Sequence, residues 1–146
     1  MTYKILIAKC ARDEFQPDDE GQSTYNLFTQ IAQTYKFILE REGHAVQTRN
    51  GIDFSLQKYH RNVDITLMHP SINHLQVLEE LKRDYPQVGM LLLAQAHECY
   101  IFHDFEKEHT GIRVLCKPQN VITLLSKIDE VVTSARERKS RITVGK

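Results

Sequence analysis

The chain has 146 residues, of which 41% are hydrophobic and 26% are charged, and its 19 basic side chains balance 19 acidic ones. This length fits one domain with a buried core, and the neutral balance provides no overall electrostatic field for attracting nucleic acid. No apolar run reaches the ~20 residues that span a bilayer, and the N-terminal apolar stretch is too short for a signal peptide. We therefore expect a cytoplasmic protein with no membrane partner and no nucleic-acid partner.

The cysteines also favour a cytoplasmic protein. Cys10, Cys99 and Cys116 form no CxxC pair, and any single pairing leaves one thiol over. An odd number of scattered cysteines suits a reducing compartment better than a disulfide framework.

Five strand-sized runs occur along the chain. The first, third and fourth are nearly continuously apolar, which is typical of parallel strands that are buried on both faces. The predicted strands are Tyr3 to Ala8, Ala45 to Arg49, Asp64 to Met68, Val88 to Ala94 and Ile112 to Cys116.

Helical patterns separate these strands. The clearest runs from about Ser23 to Glu42 with an apolar face, and Gly43 is placed to end it. The other predicted helices cover Asp53 to Arg61, Ser71 to just before Pro86, Glu98 to His109, and a last segment that uses Val121, Leu124, Leu125, Ile128, Val131 and Val132. Strands alternating with helices through right-handed crossovers predict an α/β fold: a five-stranded, doubly wound parallel sheet of order 2-1-3-4-5, the flavodoxin-like arrangement.

Two segments stand outside this alternation. Residues 11–22 form a polar, acidic loop, and residues 134–146 form a basic tail. We therefore predict one domain over residues 1–133, followed by the tail as a linker, a solubilising end or a contact for an acidic partner.

The ordered segments resemble the receiver domain of two-component response regulators, over about Lys4 to Val132. The resemblance rests on KILIA as the first strand, LEREGHAV as the end of the first helix leading into the second strand, VDITLM as the third strand and VLCKP as the fifth. It implies a receiver-like fold and a role in signal transduction or a phosphorelay. The acidic loop and a long first helix depart from the receiver pattern.

The residues that carry receiver chemistry are replaced. Receivers bind Mg²⁺ through an acidic pair after the first strand, where this chain has Lys9 and Cys10, and neither offers the oxygen ligands that Mg²⁺ requires. The phosphate-accepting aspartate at the end of the third strand matches His69. Asp64 does not substitute for it, because it begins that strand and lies roughly 13 Å from the ligand-binding edge.

Among the remaining signature positions of receivers, one keeps its usual residue in this chain. The Ser/Thr after the fourth strand matches Gln95, the aromatic residue of the fifth strand matches Val114, and Lys117, followed by Pro118, keeps its family identity. The resemblance therefore implies a pseudo-receiver without the acceptor aspartate. Its degenerate pocket consists of Lys9, Cys10, His69, Gln95, Val114 and Lys117.

The residues alone do not exclude that this pocket binds another ligand. Cys10, His69 and His97 offer zinc ligands without a compact ligand spacing, and the two lysines can hold an anion. The chain contains no glycine-rich phosphate loop and no nucleophile elbow, and the acidic loop is unsuited to a flavin phosphate. We therefore expect no enzymatic activity, no cofactor and no metal.

The resemblance also implies a partner surface, made by the fourth helix, the fifth strand and the fifth helix. Tyr100, Phe102 and Phe105 lie close together in the fourth helix, and aromatic side chains are favoured interface anchors. The competing interpretation packs all three into the core. We expect a module that regulates by protein contact, with a homodimer as one form. The alternative is a receiver-like domain controlled by an effector at the sheet edge: a phosphoryl group on His69, an anion or a metal.

Overall fold

The computed structural model describes residues 2–9, 32–50, 59–70, 75–94, 98–109, 111–116 and 120–144. Its strands form one parallel sheet in the order β2-β1-β3-β4-β5, which confirms the predicted fold class and strand order. Each strand begins and ends within one residue of its predicted bounds. The strands are β1 (Lys4–Lys9), β2 (Ala45–Asn50), β3 (Ile65–His69), β4 (Gly89–Ala94) and β5 (Ile112–Cys116).

Helices cover both faces of this sheet. They are α3 (Leu75–Asp84), α4 (Cys99–Glu108) and α5 (Val121–Val144), and two earlier helices, α1 and α2, of which the structure describes residues 32–41 and 59–60. None of the described helices combines the length and the apolarity that a membrane span needs. The acidic loop, the predicted start of the first helix at Ser23 and the predicted cap at Ser71 lie outside the described residues.

Successive strand residues point to opposite faces, and this alternation creates two cores. The core under α1 and α5 contains Ile5, Ile7, Ala32, Leu39, Ile65, Leu67, Leu91, Leu93, Leu115, Leu124, Ile128, Val131 and Val132. The core under α3 and α4 contains Leu6, Ala8, Met68, Leu78, Leu81, Met90, Leu92, Phe102, Phe105, Ile112 and Val114. The nearly continuous apolar runs of β1, β3 and β4 therefore reflect burial on both faces.

The first helix ends at the predicted glycine. Gly43 has a φ of +94°, a left-handed conformation that a side chain disfavours. Its N–H donates to the carbonyl of Glu40, and the N–H of His44 donates to the carbonyl of Leu39. These two bonds form a Schellman motif and turn the chain into β2.

Gly89 provides a test of the packing between β4 and α5. A Cβ at this position would lie 2.7 Å from Cγ1 of Val131, a side chain that is itself buried and has little room to move. We expect Gly89→Ala to lower the free energy of unfolding by about 1–3 kcal/mol through overpacking, measured by urea denaturation. In a double-mutant cycle with Val131→Ala the two changes should couple by about 1 kcal/mol, and additive effects would contradict the proposed clash.

The last helix continues through the predicted start of the tail. Ala135 is buried, and the guanidinium of Arg136 lies 3.7 Å from the Asp64 carboxylate and 5.3 Å from the centre of the Tyr3 ring. The Asp64 carboxylate also accepts the N–H of Lys4 at 2.8 Å. The basic segment therefore extends the last helix as far as Val144, and its division from the domain at residues 133 and 134 stays a prediction. These contacts also place Asp64 at the edge of the sheet where β3 begins.

Candidate functional site

The carboxyl ends of the strands meet at one edge of the sheet. Lys9, which ends β1, is paired in register with His69, which ends β3. Ala94, which ends β4, is paired with Cys116, which ends β5. In open α/β sheets of this order, ligands bind at this edge, and Lys9 and His69 are the predicted pocket residues whose backbone positions the register places there.

Much of that pocket lies beyond what the structure describes. Cys10, Gln95 and Lys117 are outside the described residues, and for Lys9 only the backbone is described. The side chains of His69 and Val114 are described. The pocket as an assembled site therefore stays a prediction, and the structure adds the environment of these two side chains.

His69 is poorly placed to exchange ligands with solvent. The residue is partly exposed as a whole, but both of its ring nitrogens are shielded from solvent. An imidazole takes a phosphoryl group or a metal only through a ring nitrogen. Loading of His69 from solution therefore requires the surrounding chain to move.

Val114 occupies the buried side of β5 against α4. Its side chain lies in the core with Phe102 and Phe105, and its N–H donates to Oε2 of Glu106 at 2.7 Å. Since β5 is an edge strand, its outward N–H groups are open to pairing with another strand. The Glu106 carboxylate occupies this donor and blocks strand addition at that point.

The three aromatic residues of α4 separate into two environments. Tyr100 is 69% exposed, whereas Phe102 is fully buried and Phe105 nearly so. Phe102 and Phe105 are three residues apart and share the inward face of the helix, while Tyr100 falls on the outward face. This corrects the prediction that all three belong to a partner surface, because only Tyr100 is accessible.

Two apolar residues at the start of α5 are exposed, and the sequence pattern did not indicate them. Ile122 is 80% exposed and Val121 is 40% exposed, although Val121 was predicted to lie on the inward face. The Asn120 side chain caps the helix by accepting the N–H of Thr123 at 2.8 Å, which sets where the first turn begins. The sequence does contain one sign of this exposure, because Ile122 falls outside the helical spacing of Leu124, Ile128 and Val131.

Two of the three cysteines lie together, although the sequence contains no CxxC pair. Cys99, the first residue of α4, and Cys116, the last residue of β5, form a disulfide across 17 positions of sequence. Only the packing of α4 against β5 brings these residues together. The cysteines therefore no longer support the prediction of a reducing compartment.

A histidine and a glutamate complete the surroundings of this pair. Nε2 of His103 lies 3.3 Å from Sγ of Cys116, and Nδ1 of the same ring lies 3.3 Å from Oε1 of Glu106. The ligand atoms of Cys99, His103 and Cys116 all lie within 4.8 Å of one another. Two sulfurs and one imidazole thus converge between α4 and β5.

The fold is shared with a solved receiver domain. The crystal structure of a response regulator receiver domain protein from Clostridium thermocellum matches with a TM-score of 0.63 and 19% sequence identity, covering 95% of this chain and 98% of that chain. No family model matches the sequence, and the comparison with curated proteins finds no match. At this identity the likeness shows the receiver-like fold alone and transfers no residue's role.

Proposed function

We propose that this chain is a non-catalytic, receiver-like signalling module that acts by protein contact and without aspartyl phosphorylation. The contact surface is the face formed by α4, β5 and α5, named here the α4–β5–α5 face. The observation that carries the proposal is the set of exposed apolar side chains on this face: Tyr100 on α4, and Val121 and Ile122 on α5.

We infer that these side chains contribute to one surface, because both helices flank the edge strand β5. β5 is an edge strand, and the two helices pack on opposite faces of the sheet beside it. Among the described residues, three of the four exposed large hydrophobic side chains lie at the beginnings of these helices, and Phe37 of α1 is the fourth. Such clustering favours an interface over the scattered apolar residues of an ordinary surface.

Charged side chains of β5 and α5 also contact one another on this face. Glu130 of α5 lies 3.4 Å from Nζ of Lys127 and 4.0 Å from Nε of Arg113 on β5. Protein interfaces commonly combine such charged side chains with apolar ones. Because Glu106 blocks strand addition beside Val114, side chains rather than a paired strand would make the contact.

The alternative, an effector held at the sheet edge, has less support. Position 69 carries an imidazole with shielded nitrogens, and Lys9 and Cys10 replace the acidic pair that holds Mg²⁺ in receivers. A phosphoryl group on His69 therefore lacks both access and the metal that normally assists its transfer.

The first test is phosphorylation. We expect the intact mass to stay unchanged after incubation with acetyl phosphate and Mg²⁺, because no carboxylate ends β3. A receiver domain that keeps its acceptor aspartate should gain one phosphoryl group under the same conditions. A stoichiometric adduct on this chain that is lost in His69→Asn would contradict the proposal and favour the effector alternative.

The second test is contact, and the first partner to examine is a second copy of the chain. We expect Ile122→Asp and Tyr100→Ala to weaken self-association by about 30-fold or more, the loss typical of an interface anchor, in sedimentation equilibrium. Phe37→Asp is the matched control, because Phe37 is 63% exposed on α1. A wild-type chain that stays monomeric contradicts self-association, and an equal effect at Phe37 contradicts the choice of face.

A further inference from the structure

We propose that Cys99, His103 and Cys116, in the reduced protein, bind one zinc ion between α4 and β5. The ligands are two thiolates and one neutral imidazole. The site lies beside the α4–β5–α5 face. Zinc binding is measured on the isolated chain, so its result does not depend on whether that face contacts a partner.

The spacing of the ligand atoms fits zinc. Zinc binds cysteine sulfur at about 2.3 Å and histidine nitrogen at about 2.0–2.1 Å in tetrahedral sites, which places a sulfur and a nitrogen about 3.5 Å apart. Sγ of Cys116 and Nε2 of His103 are 3.3 Å apart. The two sulfurs must separate to about 3.8 Å once their bond is reduced. Rotation of the Cys116 side chain, which is only partly buried, allows this.

Two regular elements position the ligands. Cys99 and His103 are four residues apart on α4, and this spacing places them on the same side of the helix one turn apart. Cys116 ends β5 with its Cα 5.9 Å from the Cα of Cys99. All three ligands therefore lie on regular secondary structure, on a helix and a strand that pack together through the core under α4.

The histidine is oriented as in a metal site. Oε1 of Glu106 lies 3.3 Å from Nδ1 of His103, while Oε2 is held by the N–H of Val114 at 2.7 Å. A neutral imidazole whose Nδ1–H donates a hydrogen bond to this carboxylate presents the lone pair of Nε2 to the sulfurs. Metal-binding histidines commonly have such a carboxylate partner. A disulfide requires neither the histidine nor the glutamate, so their arrangement favours the metal.

Disulfide and zinc are alternative states of the same sulfurs. A dithiol, which becomes a disulfide, or a phosphine, which becomes a phosphine oxide as water provides the oxygen and two protons, supplies the two electrons that break the S–S bond. Zinc binding then releases a proton from each thiol. His103 is exposed, so a fourth position opens to solvent and is available to a water molecule.

The test uses Co²⁺ as the probe and the full chain after phosphine reduction, with three free thiols per chain verified by thiol titration. We expect one equivalent of Co²⁺ to give the absorption of a tetrahedral, thiolate-bound ion, and Zn²⁺ to displace it. The oxidised chain should give no such spectrum. A reduced chain without the thiolate-to-cobalt absorption would overturn the proposal.

Variants locate the site. Cys116→Ser and His103→Ala should each weaken Zn²⁺ binding about 100-fold or more, and Glu106→Gln about 10–100-fold. Cys10→Ser is the matched control, since it removes the third thiol and should leave binding unchanged. The exposed His103→Ala keeps the test valid if Cys116→Ser fails to fold. Unchanged binding in His103→Ala, or loss of binding in Cys10→Ser, would contradict the assigned ligands.

Discussion

Phe102→Ala is expected to lower the free energy of unfolding by about 3–5 kcal/mol, the range for removing a buried ring and leaving a cavity. The ring is fully buried in the core under α4, beside Leu92, Phe105 and Val114. Urea denaturation followed by circular dichroism measures the change. This effect is a large fraction of the stability of an ordinary domain, so the variant is expected to be partly unfolded at physiological temperature.

Tyr100→Ala is the matched control, because it removes an aromatic ring from the same helix two residues away. Its side chain is mostly exposed, and we expect a change within about 0.5 kcal/mol. Similar costs at the two positions would contradict the orientation of α4. The comparison also decides how binding data are read: a loss of partner binding in Tyr100→Ala reports a contact, whereas a loss in Phe102→Ala reports unfolding.

Stability is expected to fall by about 3 kcal/mol on acidification from pH 6.5 to pH 4, because of His60. Burial, and secondarily the positive charge of Lys82, lowers the pKa of His60 from its ordinary 6.5 to about 4. Above pH 6.5 the ring is neutral in both states and contributes no pH dependence. Between these values only the unfolded chain binds the proton, so the folded state loses stability as the pH falls.

The surroundings of His60 explain why the ring resists protonation. Its Nδ1 lies 2.7 Å from the hydroxyl oxygen of Thr66, and its Nε2 has no hydrogen-bond partner among the described residues. Tyr85 packs edge-on against the ring. Lys82 is held nearby because its ammonium group donates to the carbonyls of Pro86 and Val88. A proton on Nε2 would therefore be buried without an acceptor and close to another positive charge.

His60→Gln isolates this contribution. Urea denaturation at pH 7 and at pH 4.5 should show that the wild type loses about 2–3 kcal/mol more than the variant on acidification. The glutamine is polar but does not titrate, so the remaining pH dependence belongs to other groups. Equal losses in the two proteins would contradict the lowered pKa of His60.

The fold was predictable because its signals are local. Apolar runs located the strands to within a residue, and Gly43 marked the end of α1 because few other residues accept its backbone conformation. The strand order followed from the alternation of strands and helices with right-handed crossovers. The position of His69 at the end of β3 came from the same local reasoning.

The orientation of each helix about its own axis was less predictable. α4 has three aromatic residues within six positions, and composition does not reveal which of them face the sheet. In α5 the cap at Asn120 sets the first turn so that Val121 and Ile122 precede the buried stripe that begins at Leu124. Tertiary packing chose these orientations, and with them which apolar side chains are exposed.

By itself the sequence determined the fold class and the strand order, because these depend on patterns that span a few residues. Only the tertiary structure decided that Cys116 meets Cys99 and His103, that Glu106 reaches the edge of β5, and that Arg136 of α5 packs against Asp64. Those contacts join residues that are distant in sequence. They arise when helices pack on a completed sheet, and no local pattern encodes them.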